Sequence, residues 1–485
     1  MTSAKTAVQA MGLALTLALL GPAPAWADPI PEPTSAPPAF LIPGYDGATA
    51  LGTFLDCLAS LEAWAGKSLP DWVVHSSPFT YSARKPRYDA TGRPLTDAGG
   101  RQVCDQVALT GRIFYPPTWR VPFQRTLPLV VYTHATTMLK RSVASAFGGN
   151  EWMLGAAAAL YYGFAVAMPD APGMGGDGGS YHPFCHAKSL AYSTLDGIPA
   201  MRRRFAEDPY LVRGGYQWDG RLILMGYSEG AYTALAAVKE LEEHPDHYPD
   251  ITLTGSACMA GPFDLSNLAR TDILTPMKPF AHCFYLPYVI LGYHSVYGQV
   301  LDPLEVFAPE LLETRADGNI LQWADGTVNG LVMDELIGKR LGKPADQVTL
   351  RSILNPAWLA RELDDPAYAT STIRRLLEEN DLHRGWRPTK PILFCQSPAD
   401  QDIPYQDTIT TLAFLGAEVV KAGGDPSKVL RLKPIGNHGG PLSHVAAALW
   451  AIPMAFDWIY GGLKMDPEPV RYRLRAPEFA LPNPE

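Results

Sequence analysis

Arg221-Leu222-Ile223-Leu224-Met225-Gly226-Tyr227-Ser228-Glu229-Gly230-Ala231 is the stretch whose reading decides the fold. Strand-like residues, Arg221 to Met225, lead into a Gly-x-Ser-x-Gly pentapeptide, and a helical run, Ala231 to Leu241, begins directly after it. A serine on so sharp a strand-to-helix turn is forced to an unfavourable backbone angle that lifts its hydroxyl above the sheet edge. Small flanking residues let strand and helix approach without clash. In a chain with 43 glycines the pentapeptide alone is a weak signal, and its strand and helix context gives it weight.

A serine hydroxyl is a poor nucleophile at neutral pH and needs a histidine, itself oriented by a buried carboxylate, to take its proton. In a strand-turn-helix setting the order is serine, acid, histidine, so the partners lie downstream. After the buried run Pro391 to Cys395 comes a polar loop, Gln396 to Pro404, in which Asp400 is the first choice for the acid. Asp402 is the alternative, or else caps the next helix, and Asp264 is a third option. The run Val429 to Ile435 leads into Gly436-Asn437-His438-Gly439-Gly440, which makes His438 the first choice for the base. His444 competes, because the following helix, with Pro453 and Trp458, can equally start near Ala446. The developing oxyanion needs two preorganised N–H donors. One is the backbone of Glu229; the other is expected from His134-Ala135-Thr136-Thr137 after the apolar run ending at Thr133, with Thr136 preferred and Ala135 the alternative. His134 reads as a residue that steadies this loop by hydrogen bonding.

Outward from this centre, short continuous apolar runs alternate with helical stretches. Val103 to Tyr115, Pro128 to Thr133, Gly163 to Met168, Ile251 to Met259, Pro391 to Cys395 and Val429 to Ile435 read as strands, with helices at Trp152 to Leu160 and along Ala191, Leu195, Ile198 and Phe205. That rhythm predicts an α/β fold with a mostly parallel central sheet and helices on both faces. Between Asp264 and Arg387 the rhythm breaks in a long stretch containing Phe280, Phe284, Tyr285, Tyr288, Tyr293 and Tyr297, read as an inserted helical cap. The competing reading is a second structural domain without contact to the site. Aromatics at such spacing suit either an acyl-binding wall or ordinary core.

The chain opens with Lys5, an apolar run from Met11 to Leu20 and the small-residue pattern Ala25-Trp26-Ala27, the pattern of a cleaved secretory signal. The run is short for a membrane anchor, which needs roughly 20 apolar residues. Export to a secreted or periplasmic location is therefore expected. The boundaries that follow are 1–27 for the signal, 28–39 for a proline-rich leader, 40–264 and 388–462 for the two parts of the core, 265–387 for the cap and 463–485 for a tail. Leu51, Leu55, Leu58 and Leu61 recur at helical spacing early in the core. A net charge of -9, with no basic cluster beyond Arg202-Arg203-Arg204 at an expected solvent-facing helix end, argues against a nucleic-acid partner. The six cysteines fall after the cleavage point, where disulfides persist; Cys258 and Cys395 read as buried thiols, and no Cys/His spacing suggests zinc.

Taken together, Tyr132 to Thr137, Gly163 to Gly175 with Pro169-Asp170, Tyr181-His182-Pro183-Phe184, the pentapeptide, Ala260 to Leu265 and Trp386-Arg387-Pro388 resemble the α/β-hydrolase superfamily. Within it they are similar to the secreted lipase and esterase branch that includes lipase A-like secretory lipases. The resemblance spans about Val103 to Trp458. It implies a serine hydrolase of carboxylic esters, with a cap over the pocket, a small-molecule or lipid ester as substrate, and neither a metal nor an organic cofactor. Two positions depart from the pattern: Ala135 replaces a glycine, and Glu229 replaces a glycine or glutamine, which puts a carboxylate beside the nucleophile. A serine peptidase of the same fold and a non-catalytic binding protein are the alternatives. Oligomeric state is open.

Overall fold

The computed structural model describes residues 74–117, 125–177, 179, 181–268, 271, 282–435 and 442–463. The signal, the leader, the leucines at 51–61, Phe280, His438 and most of the C-terminal tail lie outside the described residues.

The described residues build an eight-stranded sheet in the order β1-β2-β4-β3-β5-β6-β7-β8. Its strands are β1 (His75–Pro86), β2 (Cys104–Tyr115), β3 (Thr126–Thr133), β4 (Ala165–Pro169), β5 (Gln217–Tyr227), β6 (Gly255–Met259), β7 (Ile392–Gln396) and β8 (Leu430–Pro434). β1 pairs antiparallel with β2, and β2 with β4; from β4 across to β8 every pairing is parallel. The longer helices are α1 (Trp152–Tyr162), α2 (Ala187–Glu207), α3 (Glu229–Glu243), α4 (Tyr285–Tyr297), α5 (Gly330–Leu341), α6 (Thr372–Glu379), α7 (Tyr405–Lys421) and α8 (His444–Tyr460).

Strand alternation shares the apolar side chains between two cores. Leu129 and Val131 of β3 point into one with residues of α2 and α3, whereas Val130 and Tyr132 point into the other with α1 and α8. Because both faces are covered, β4, β6 and β7 are buried along their whole length, which is why they read as unbroken apolar runs. The α/β-hydrolase fold expected from the resemblance is therefore present.

β1 was not foreseen. Its sequence, with Ser76, Ser77, Pro78, Thr80 and Ser82 between the buried Phe79, Tyr81 and Ala83, is that of an edge strand with one wet face, a weaker signal than a central strand. The arginine triplet also differs from expectation. Only Arg203 is exposed, while Arg204 donates to Ser77 and Asp208 and so ties α2 to β1.

Between β6 and β7 the described residues are helical, from Leu265–Leu268 through α6, with isolated bridges as the only strand pairing. Phe284, Tyr288, Tyr293 and Tyr297 of this insertion are buried in its core. Among the described residues no helix is long and apolar enough to cross a membrane, and Cys104, Cys185, Cys258, Cys283 and Cys395 are free thiols.

Candidate active site

β5 ends at Tyr227 and α3 begins at Glu229, so Ser228 alone makes the turn, at φ 56° and ψ -122°. A non-glycine residue there is strained, and the surroundings hold it. Its N–H donates to Met259 O of β6 at 2.8 Å, and its carbonyl accepts from Tyr232 N inside α3. The flanking glycines have a steric role. A Cβ on Gly226 would stand 2.3 Å from the Gly230 carbonyl carbon, and one on Gly230 would stand 2.1 Å from Thr133 O.

Ser228 Oγ lies 2.8 Å from Nε2 of His444, and His444 Nδ1 lies 2.7 Å from Oδ2 of Asp400. An ionised carboxylate only accepts, so Nδ1 carries the proton and Nε2 is free to accept from the serine hydroxyl. Asp400 is held by its loop: Oδ1 accepts from the backbone N–H groups of Asp402 and Ile403, each at 3.0 Å. His444 opens α8, whose N-terminus is capped by the Ser443 hydroxyl, and its carbonyl accepts from Tyr227 Oη at 2.5 Å. The ring is buried. Desolvation favours its neutral form, but the Asp400 charge, the Asp400 hydrogen bond and the charge of Asp402 outweigh it, and the pKa is raised above 6.5.

Of the two base candidates, then, His444 stands between Ser228 and Asp400; His438 lies outside the described residues. Asp402, the alternative acid, accepts instead from Tyr285 Oη of α4 at 3.2 Å. Asp264 faces His383, with 3.7 Å between Oδ1 and Nδ1, and has no bond to His444.

The loop after β3 separates the two candidates for the second oxyanion donor. Ala135 N–H donates at 2.7 Å to the buried carboxylate of Glu151, which also accepts from Tyr132 Oη at 2.9 Å. That amide is committed. Thr136 follows in the same buried loop, and His134 Nδ1 donates to Ala135 O at 2.9 Å, a bond that steadies the turn. Burial raises the Glu151 pKa, opposed by the charge of His134 and by the two bonds it accepts.

The Glu229 carboxylate turns away from the serine. Oε1 lies 2.5 Å from Nε2 of His182, whose Nδ1 donates to Pro172 O at 2.9 Å. Both side chains are buried. Burial favours neutral His182, but the Glu229 charge and hydrogen bond prevail and raise its pKa.

Nothing in the sequence pointed to Glu151, and for the two tyrosines of α4 that reach the site it offered only a choice between an acyl-binding wall and ordinary core. Tyr288 Oη donates to Thr137 O at 2.8 Å, in the loop of the expected oxyanion donor, while Tyr285 reaches Asp402 beside the acid. Their aromatic spacing carried no information about where the hydroxyls would point. The insertion thus touches the two loops on either side of Ser228.

A profile of the family described as secretory lipase matches residues 142–273, the segment that carries the pentapeptide. A search of the curated proteins gives no match. Among solved structures, a Legionella pneumophila protein provisionally described as a hydrolase superposes with a TM-score of 0.61 at 20% identity, covering 86% of this chain and 96% of its own. A mutant of the rice cell wall degrading esterase LipA from Xanthomonas oryzae gives 0.56 at 21% identity, covering 80% and 89%. Candida antarctica lipase A gives 0.50 at 14% identity, covering 82% and 80%. At these identities the likeness is one of fold.

Proposed function

We propose that this chain of α/β-hydrolase fold, similar over its nucleophile segment to secretory lipases, is an exported serine hydrolase of carboxylic esters. The observation that carries the reading is the unbroken relay Ser228 Oγ, His444, Asp400, with separations of 2.8 and 2.7 Å. The signal-like N-terminus supports export, and the esterase and lipase names of the similar structures support ester chemistry.

In this reading Ser228 Oγ attacks the ester carbonyl while His444 Nε2 takes its proton. Asp400 keeps the imidazole oriented and stabilises its charged form. The tetrahedral oxyanion is met by the backbone N–H groups of Glu229, at the positive end of α3, and Thr136. Such a donor contributes roughly 10²–10³-fold in kcat. His444 then gives its proton to the departing alcohol, leaving an acyl-enzyme on Ser228. Water, deprotonated by the same imidazole, hydrolyses it and returns the free serine. With its carboxylate held by His182, Glu229 contributes backbone rather than charge at the reacting centre.

The test is Ser228→Ala with a p-nitrophenyl ester series from acetyl to palmitoyl. The variant is expected to keep the wild-type circular dichroism spectrum and to lose turnover throughout the series, and surviving turnover would refute the assignment. Labelling of wild-type Ser228 by a fluorophosphonate separates an enzyme from a binding protein, and comparison of ester with peptide substrates separates an esterase from a peptidase.

A further inference from the structure

A second cluster of chemistry-bearing side chains lies where the inserted helices leave the sheet layer and return to it. Asp264 follows β6, just before Leu265–Leu268; Asp381 and His383 follow α6 and precede β7. The two ends are stitched together: Leu382 N donates to Phe263 O at 2.8 Å, and Asp381 accepts from Ser266 N at 3.0 Å and Ser266 Oγ at 2.6 Å. All three side chains are buried, and one ligand atom from each lies within 4.8 Å of the others.

The stitching leaves two atoms over. Asp264 Oδ1 and His383 Nδ1 are buried with no partner at full hydrogen-bonding geometry among the described residues, the backbone of Phe263 being the polar neighbour of the His383 ring on that side. Their separation of 3.7 Å is too long for a hydrogen bond and close to the roughly 3.4 Å edge between two donors on a tetrahedral ion bound at about 2.0–2.1 Å. An orphaned buried acceptor forfeits the hydration it had in the unfolded chain, and a charged one forfeits more. Asp407, whose carboxylate accepts from Phe263 N and Asp264 N, adds a further buried acid nearby. Among the described residues Lys239 Nζ reaches the backbone carbonyls of Asp381 and Arg384, not these carboxylates.

We propose that Asp264, Asp381 and His383 bind one divalent cation of the zinc class, which clamps the two ends of the insertion. An imidazole nitrogen among the donors favours zinc over magnesium or calcium, which prefer all-oxygen shells. Asp264 Oδ1 and His383 Nδ1 supply lone pairs, and the Asp381 carboxylate supplies a third while keeping its bonds to Ser266. One adjustment is required. Arg384 Nε donates to His383 Nε2 at 2.5 Å, whereas a ring ligating through Nδ1 carries its proton on Nε2. Arg384 is exposed, and turning it toward solvent gives up this bond and the placement of its guanidinium 5.3 Å over the Phe414 ring. The clamp is structural, distinct from the ester relay at Ser228, and differs from the absence of any metal that the family resemblance implied.

Metal content and thermal unfolding test it without ester turnover. The full-length mature protein is stripped with a chelator, incubated with zinc chloride, freed of excess metal by gel filtration and analysed by mass spectrometry and calorimetry. One zinc per chain and a rise in Tm of a few degrees are expected. His383→Gln and Asp264→Asn should each lose the bound zinc and the zinc-dependent rise, with affinity falling at least tenfold. Arg384→Ala, which removes the competing donor, should bind at least as tightly as wild type. Stripped wild type that takes up no zinc, or variants at 264 and 383 that keep it, would overturn the proposal. Should those variants fail to fold, cobalt added to stripped wild type decides: the intense visible band of a four-coordinate ion supports the site, and the pale spectrum of the hydrated ion overturns it.

Discussion

At the scale of single residues, the site rests on charges and donors whose partners are already fixed. His444 must be neutral to accept the serine proton, and its pKa stands above 6.5 because Asp400 outweighs burial. The sign follows: activity falls as pH drops through that raised value, so the acid limb of kcat/KM is shifted upward from 6.5. Asp400→Asn removes the charge that raises it. The expected outcome is a kcat lower by about 10⁴ and a residual activity whose acid limb moves to lower pH, read from a pH profile with a p-nitrophenyl ester. The serine and the preferred acid were legible in the sequence because each stands at the end of a buried strand, in a loop of polar or small residues. The base was not legible to one residue. His438 and His444 are six positions apart on either side of a proline, and only the start of α8 at His444 brings one of them against Ser228.

At the scale of elements, the elbow between β5 and α3 is the most constrained piece of backbone. Glycine at 230 is required because the helix passes against Thr133 of β3, with Thr133 Oγ1 bonded to Gly230 O at 2.7 Å. Gly230→Ala places a methyl carbon 2.1 Å from backbone rather than from a side chain that can move aside. A stability loss above about 2 kcal/mol by urea unfolding, with ester turnover reduced in the folded fraction, is expected. A variant with wild-type midpoint and activity would show that the two segments part more easily than their packing indicates. The central strands β3, β4, β6 and β7 were readable because parallel strands covered on both faces carry apolar side chains on both; β1, wet on one face, was not. Helix α4 shows the limit of periodicity. Its spacing foretold burial, but the hydroxyls of Tyr285 and Tyr288 reach loops that precede it or follow it by more than a hundred residues.

For the whole molecule, the insertion and the sheet are joined by a buried polar knot around His186. Its Nε2 lies 3.1 Å from Tyr88 Oη and 3.0 Å from Tyr297 Oη of α4, and Asn380 Nδ2 donates to the same Tyr297 hydroxyl at 2.9 Å. Burial, with a smaller contribution from the charge of Lys188, lowers the His186 pKa from 6.5 to about 3. The neutral ring is compatible with the fold and the charged ring is not. Stability is therefore intact above pH 6.5 and falls progressively toward pH 3, by on the order of 4 kcal/mol for this group at the acid end. His186→Asn should be less stable than wild type at pH 7 but lose less stability between pH 7 and pH 4, as measured by urea midpoints. Equal slopes in the two proteins would remove His186 as a source of acid sensitivity.

The sequence by itself determined the layered α/β architecture, the long segment after β6, the strand-to-helix turn that carries Ser228 and the short list of residues from which its proposed partners come. Periodicity, turn chemistry and the steric need for glycine are local properties, and local order suffices to read them. Tertiary structure decided that His444 meets both Ser228 and Asp400, that Ala135 N–H is taken by Glu151, that Glu229 turns to His182, and that Asp264 meets His383 across the insertion. Each of these pairs groups 16 to 216 positions apart along the chain. Hydrogen bonds and ion pairs act over a few ångströms, so their partners are fixed only when the sheet and its helices have closed around them.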